Sequence, residues 1–136
     1  MTPTRGERNN NPGNIRHGSN WQGLAPEQPD SAFCSFVDPK FGIRALAKVL
    51  LNYQQMGYDT VKDIVNRWAP SNENNTAAYI SAVAGRIGCD PNTHLDVRDY
   101  SQMFPLVDAI IYHENGRNIY PRPTMDAGLA LAGVTP

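Results

Sequence analysis

Residues 38–57 read DPKFGIRALAKVLLNYQQMG, and this stretch carries the clearest helical signal of the chain. Asp38 is a suitable N-cap, and Pro39 suits the first helical position because that position needs no N–H donor. The pattern therefore predicts a helix that begins at Pro39, ends at Met56-Gly57 and buries one face. The apolar side chains that share this face are Ile43, Leu46, Leu50 and Tyr53.

Two further helices are predicted in the middle of the chain. The first begins at Thr60, because threonine is a common helix-capping residue, and it ends at Ala69-Pro70. The second begins at Thr76 and ends at Gly88, since glycine commonly terminates helices. A polar loop over residues 71–75 separates the two helices.

The rest of the chain is less regular. A fourth helical stretch begins at about Asp96 and is expected to split into two pieces at Pro105, and a last weak helix is expected over 124–131. Before Asp38 the chain has a cluster of turn formers at 9–14 and a short strand candidate at 32–37. The predicted fold class is α+β and mostly α, with four to five short helices and a small β element near the N-terminus.

Composition limits the range of functions. The 136 residues are enough for one domain with a core, so we expect a single domain over 1–136. Twelve basic and thirteen acidic residues leave a net charge of −1, which predicts neither nucleic acid nor anionic lipid as a partner. No segment has the length of a membrane span, and no apolar run follows the N-terminal basic residues. We therefore expect no membrane insertion and no secretory signal, and a monomer made in the cytoplasm.

Metal and thiol chemistry find little support in the sequence. The three histidines show no spacing typical of zinc ligands, so we expect no metal site and no cofactor. Cys34 lies in the strand candidate and Cys89 follows a helix end, and neither has a local neighbour that would activate a thiolate. Both cysteines are interpreted as small apolar residues.

Glu114 is the acidic residue whose position most suggests chemistry. It shares a helical stripe with Val107, Ile110 and Ile111, which places it at the edge of the core or in a cleft. Burial and the negative end of the helix both disfavour an anion at this position. A carboxylic acid that keeps its proton is the general acid that glycosidic bond cleavage requires. The alternative is a rim residue with its charge in water.

Several polar and aromatic residues are further candidates. Glu7 could be a second acid, but its place near the N-terminus favours a solvated charge. Asn11 and Asn14 are either turn formers or amides suited to sugar hydroxyl and N-acetyl groups. Trp21 and Tyr79 offer flat surfaces for sugar rings, although aromatic residues at helical spacing more often belong to a core.

Two motifs resemble a known family. The run RGERNNNPGNIR at 5–16, the WQG that follows at 21–23, and IIYHENG at 110–116 resemble bacteriophage and prophage proteins described as virion proteins with a lysozyme-like, peptidoglycan-degrading domain. The resemblance covers nearly the whole chain. The segment 10–16 is also similar to an asparagine-containing strand motif of autolysin-type glucosaminidases and lytic transglycosylases. In those enzymes the catalytic Glu ends a helix, as 114–116 does here, but the order of the two motifs is permuted.

The resemblance implies a lysozyme-like fold and cleavage of the glycan strand of peptidoglycan, by a muramidase or a lytic transglycosylase with one catalytic acid. It implies a phage, prophage or interbacterial lysis setting, with action in the periplasm or cell wall after delivery by a virion, a holin or a secretion system. Partners would be peptidoglycan and other virion or secretion components. The alternative is a non-catalytic virion protein that binds cell wall. The implied site residues are Glu114 as the acid and Asn11, Asn14, Trp21 and Tyr79 as substrate contacts.

The permuted order of the motifs makes a geometric prediction. The loop Asn9–Ile15 and the helix end at Glu114 are separated by nearly the whole chain, yet they must line the same groove if they form one site. Trp21 or Tyr79 should form part of the wall of this groove. The Glu114 carboxylate should be partly buried, and it should lie within hydrogen-bonding distance, or within reach through one water, of a polar side chain from the other lobe.

Overall fold

A computed structural model describes residues 2–71 and 75–136, and this part of the chain is mostly helical, as predicted. The predicted loop at 71–75 lies largely outside the described residues. The β element is smaller than predicted, because it consists of isolated antiparallel bridges and no continuous strand. No described helix has the length and apolarity that a membrane crossing requires. The helices are α1 (Arg5–Arg8), α2 (Pro39–Gln55), α3 (Val61–Trp68), α4 (Thr76–Ile87), α5 (Tyr100–Asn115) and α6 (Arg122–Leu131).

Helix α2 is the helix that the sequence predicted best. The Asp38 side chain accepts a hydrogen bond from the backbone N–H of Lys40 and so caps the helix, and Pro39 occupies the first turn. Ile43, Leu46 and Leu50 are fully buried, and each contributes about 1.5–3 kcal/mol of burial free energy. The buried face of α2 packs closely on α6.

Helix α5 corrects the prediction that Pro105 divides this stretch. The helix is continuous from Tyr100 to Asn115 with Pro105 inside it. Pro105 removes the hydrogen bond to the carbonyl of Ser101, one turn earlier. Ser101 is exposed, so water can satisfy that carbonyl, and the helix continues because its following turns are buried. The buried residues of α5 are Met103, Leu106, Val107, Ala109, Ile110 and Ile111.

The chain before α2 folds around the asparagine cluster. Asn10 and Asn14 both adopt left-handed backbone conformations, with φ of 50° and 52°, which asparagine tolerates better than most residues. The following chain makes two single bridges, Arg16 with Phe33 and Leu24 with Phe36. The strand candidate at 32–37 does not extend into a ladder, because its backbone hydrogen bonds go to several separate segments.

Helix α1 was not predicted, and it docks the N-terminal segment on the end of α5. Thr4 and Glu7 form a capping box around this single turn. The Thr4 hydroxyl also donates to Asn115 Oδ1 at 2.6 Å, and Asn115 Nδ2 donates to the carbonyl of Pro12 at 2.8 Å. Arg117 donates to both carboxylate oxygens of Glu7. These bonds hold the asparagine cluster beside the C-terminal end of α5.

Candidate active site

Two hydrogen bonds fix the carboxylate of Glu114 at the end of α5. Asn14 Nδ2 donates to Oε1 at 2.8 Å, and the Tyr79 hydroxyl donates to Oε2 at 2.8 Å. The donors are 100 and 35 positions away from Glu114 in sequence. The glutamate is half-buried. The geometric prediction for the Glu114 carboxylate is therefore confirmed.

A cleft of about 340 Å³ opens on one side of this carboxylate. Asn14 and Glu114 both line it, so the asparagine loop and the helix end do share a groove. Trp21 forms part of the wall, as predicted. The other lining residues are Gly13, Ile15, Arg16, Ser19, Phe33, Val49, Tyr53, Trp68 and Ala69. Aromatic walls with a few polar groups are typical of small-molecule and sugar sites.

A second pocket of about 300 Å³ also has Glu114 in its lining. It is lined by Asn75, Ala78, Tyr79, His113 and Glu114. Glu114 is therefore a lining residue of both cavities. A chain-like ligand that occupied both would contact Glu114.

Asn14 combines the two roles that the sequence left open. Its backbone has φ of 52°, so it is a turn former, and its amide donates to Glu114. Its Oδ1 atom is buried, has no hydrogen-bond partner among the described residues, and faces Gly6. The reversed amide would turn its oxygen toward the carboxylate, so the bond to Glu114 decides the orientation.

Tyr79 differs from the prediction of a flat surface for a sugar. Its residue exposure is only 3 %, its ring stacks on His113 with centroids 3.9 Å apart, and its hydroxyl is bonded to Glu114. Burial raises the pKa of Tyr79 well above its usual range, and the nearby Glu114 carboxylate adds to this. Tyr79 thus keeps its hydroxyl proton, and this hydroxyl positions the carboxylate.

Asn11 does not contact the cleft, which corrects its assignment as a substrate contact. It is fully buried, and its amide donates to the carbonyls of Ile15 and Cys34 at 2.9 Å each. Its Oδ1 accepts from the backbone N–H of Ile15. These bonds occupy the side chain with backbone groups, so Asn11 shapes the loop that carries Asn14.

Glu7 is likewise not the solvated charge that the sequence predicted. Its side chain is almost completely buried and paired with Arg117. The hydrogen bonds from Arg117 lower the pKa of Glu7, against the effect of burial. Glu7 lies outside the residues that line the two cavities. A carboxylate held as an anion away from the cleft is not a proton donor for a ligand there.

The structure adds residues to the site that sequence reasoning missed. Tyr53 and Trp68 line the large cleft, although their helical spacing favoured a place in the core over a role in sugar stacking. Both are half-buried, so they belong to the edge of the core and to the cleft wall at once. His113, which lines the second pocket, was considered only as one of the three histidines that lack zinc-ligand spacing. Its position next to Glu114 was a signal that it could share the site.

Thiol and metal chemistry are the other two candidates, and they concern the two cysteines and the possible metal ligands. Burial raises the pKa of the Cys34 thiol, which disfavours a reactive thiolate. Cys89 also has a raised pKa, first through burial and then through Asp90. Among residues 2–71 and 75–136, no group of three or more His, Cys, Asp or Glu side chains is arranged to hold a metal ion.

Comparison with known proteins places the chain in a family. No protein-family model matches it. The chain is 40% identical over 121 residues to Protein P5 of Pseudoalteromonas phage PM2, in an alignment that covers 85% of this chain and 74% of the phage protein. The chain therefore belongs to the family of this phage protein, and the prediction of a bacteriophage relative is confirmed. The name of the relative states no activity.

Proposed function

We propose that this member of the P5 family cleaves the glycan strand of peptidoglycan, with Glu114 as the general acid. One observation carries the proposal: the carboxylate of half-buried Glu114 is held by Asn14 and Tyr79, and Glu114 lines two cavities. A fixed acid beside a ligand-sized cavity is what general acid catalysis of glycosidic bond cleavage requires.

The hydrogen bonds suit a proton donor that becomes an anion. Protonated Glu114 gives its proton to the oxygen between two sugars while the bond from that oxygen to C1 breaks. The negative charge that develops on Glu114 is met by the Asn14 amide and the Tyr79 hydroxyl, which already point at its two oxygens. Before transfer, the Tyr79 oxygen can instead accept a hydrogen bond from the acid.

The cleft walls support a sugar ligand. Trp21, Tyr53 and Trp68 offer aromatic faces, and Asn14 and Ser19 offer polar atoms within the same cleft. Sugar rings have apolar faces and hydroxyl edges, so they match a wall of this mixed kind. This supports the lysozyme-like interpretation of the α-rich fold, which we include in the proposal.

Two reactions begin with this proton transfer. In a muramidase, water attacks C1 and leaves a reducing sugar end. In a lytic transglycosylase, the C6 hydroxyl of the same sugar attacks C1 and leaves a 1,6-anhydro end. The proposal covers both reactions, and it includes action at the cell wall in a phage, prophage or interbacterial lysis setting. The relative supports the phage association.

The test is digestion of purified peptidoglycan sacculi by the protein, followed by mass spectrometry of the released muropeptides. We expect release by the wild type and a loss of about 10²–10⁴-fold in Glu114→Gln, because a general acid contributes a factor of this size. The introduced glutamine can accept from Asn14 and donate to the Tyr79 oxygen, so the variant should fold. The matched control is Glu27→Gln, an exposed position outside both cavities.

The outcomes separate the alternatives. Equal release by folded Glu114→Gln and wild type would remove Glu114 from the mechanism. No release by the wild type, together with sedimentation of the protein with sacculi, would favour the non-catalytic wall-binding alternative. Reducing or anhydro ends on the products would distinguish the hydrolase from the lyase.

A further inference from the structure

Arg16 places a positive charge in the wall of the large cleft. The residue is exposed, and its guanidinium lies 5.0 Å from the centroid of the Phe33 ring. The backbones of Arg16 and Phe33 are also joined by a β-bridge. Stacking on an aromatic face fixes the plane of a guanidinium and leaves its edge donors available. The cleft therefore has an oriented donor group beside its sugar-sized space.

A neighbouring arginine, Arg5, contacts the same aromatic ring but is paired with a carboxylate. Arg5 lies 4.5 Å from the same Phe33 ring, but it forms a salt bridge with Asp30 at 2.6 Å. The hydrogen bond from Arg5, followed by others from backbone N–H groups and Asn9, holds the pKa of Asp30 well below its usual range. The charge of Asp30 is thus already matched.

Within residues 2–71 and 75–136, no acidic side chain forms a salt bridge with Arg16. Arg16 and Glu114 line the same cleft without forming such a pair. A guanidinium that is oriented, exposed to a cleft and unmatched by an internal anion is suited to an anionic group on a ligand.

We infer that Arg16 binds a carboxylate of the peptidoglycan strand and so selects peptidoglycan over neutral polymers of N-acetylglucosamine. This inference rests on the proposed function. Muramic acid carries a lactyl group that ends in a free carboxylate or in an amide bond to a stem peptide, and the stem peptide has carboxylates of its own. Either source presents the planar anion that a guanidinium binds through two parallel hydrogen bonds.

The test measures binding separately from cleavage, in the Glu114→Gln background. The parent, Arg16→Gln and the control Arg8→Gln are sedimented with native sacculi and with sacculi whose carboxylates have been converted to amides. Arg8 is exposed and lies outside the cleft lining. Its substitution by glutamine changes the net charge by the same amount as Arg16→Gln does. Thermal melting confirms that each variant is folded.

We expect Arg16→Gln to weaken binding to native sacculi by about three- to ten-fold at low salt, as for a partly exposed charged contact. Arg8→Gln should bind like the parent, and the effect of Arg16→Gln should vanish on amidated sacculi. It should also shrink as salt screens the charges. Equal binding of Arg16→Gln and the parent to native sacculi would overturn the inference. So would an equal loss on native and amidated sacculi.

Two further arms complete the experiment. Glycan strands freed of stem peptides by an amidase carry only lactyl carboxylates. An Arg16 effect that persists on them supports the inference with the lactyl group as ligand, and one confined to native sacculi supports it with the stem peptide.

Muropeptide release by the wild-type protein tests the proposed function separately. Release without any Arg16 effect overturns only the inference, whereas an Arg16 effect without release supports carboxylate binding and contradicts the catalytic proposal.

Discussion

The hydrogen bond between Asn14 and Glu114 can be tested by exchanging its amide and its carboxylate. Asn14→Asp keeps the size of the side chain, and aspartate tolerates the left-handed backbone found at this position. The substitution replaces an N–H donor that lies 2.8 Å from a carboxylate oxygen by a second carboxylate. The variant therefore converts an attraction into a repulsion without changing the shape of the site.

The size of the effect follows from Coulomb's law. Two unit charges about 4 Å apart repel by about 1 kcal/mol in water and by about 4 kcal/mol at an effective dielectric constant of about 20. Glu114 is half-buried, so its environment lies between these limits. Loss of the charge-assisted hydrogen bond adds about 1.5 kcal/mol. We expect Asn14→Asp to lower the free energy of unfolding by about 2.5–5.5 kcal/mol at neutral pH.

The double variant Asn14→Asp with Glu114→Gln should recover most of this loss. The amide of the introduced glutamine then donates to the introduced aspartate, and its carbonyl oxygen accepts from the Tyr79 hydroxyl. Both bonds to position 114 are rebuilt, and the donor and acceptor are exchanged only in the bond to position 14. We expect stability within about 1 kcal/mol of the wild type. Glu114→Gln alone should fall in the same range, so the cycle isolates the coupling between the two residues.

The assay is urea unfolding of the wild type, the two single variants and the double variant. At neutral pH only Asn14→Asp should be strongly destabilised. Its deficit relative to the wild type should shrink at mildly acid pH, where two adjacent carboxylates share a proton. A double variant as unstable as Asn14→Asp would refute the reasoning, because it would show that the two side chains do not face each other.

Two other predictions concern residues that shape the site. The lowered pKa of Glu7 means that its pairing with Arg117 stabilises the fold at pH values above the unfolded-state pKa of about 4.5, and that this contribution is lost as the pH falls through the lower folded-state pKa. The free energy of unfolding between pH 7 and pH 2 should thus depend less on pH in Glu7→Gln than in the wild type. Equal slopes of this free energy against pH in the two proteins would contradict the pairing. Asn11→Ala should lower the free energy of unfolding by about 3 kcal/mol, because it leaves the buried N–H of Ile15 and the carbonyl of Cys34 without partners. A loss below about 1 kcal/mol would show that the buried hydrogen bonds of Asn11 do not stabilise the loop.

Short-range signals in the sequence predicted most of the helices. Asp38 and Pro39 mark the start of α2, and Gly88 and Gly116 follow the ends of α4 and α5 in left-handed conformations. These signals work because caps and terminal glycines act on backbone groups within one turn. Helix α1 escaped prediction because it is a single turn, and it is held largely by contacts to residues more than 100 positions away.

The tertiary structure alone decided which candidate residues form the site. Asn11 and Asn14 are the same residue type three positions apart, and the sequence favoured neither. The fold buries Asn11 among the backbone groups of residues 15 and 34 and turns Asn14 toward Glu114. The sequence favoured Glu114 over Glu7 as the acid, and the fold supplies the physical reason: Glu7 is paired with Arg117, whereas Glu114 lines the cleft. Residue type and local spacing determined the chemistry that was available, but partners supplied from distant segments decided which groups remain open to a ligand, because burial and hydrogen bonding are settled only when those segments pack together.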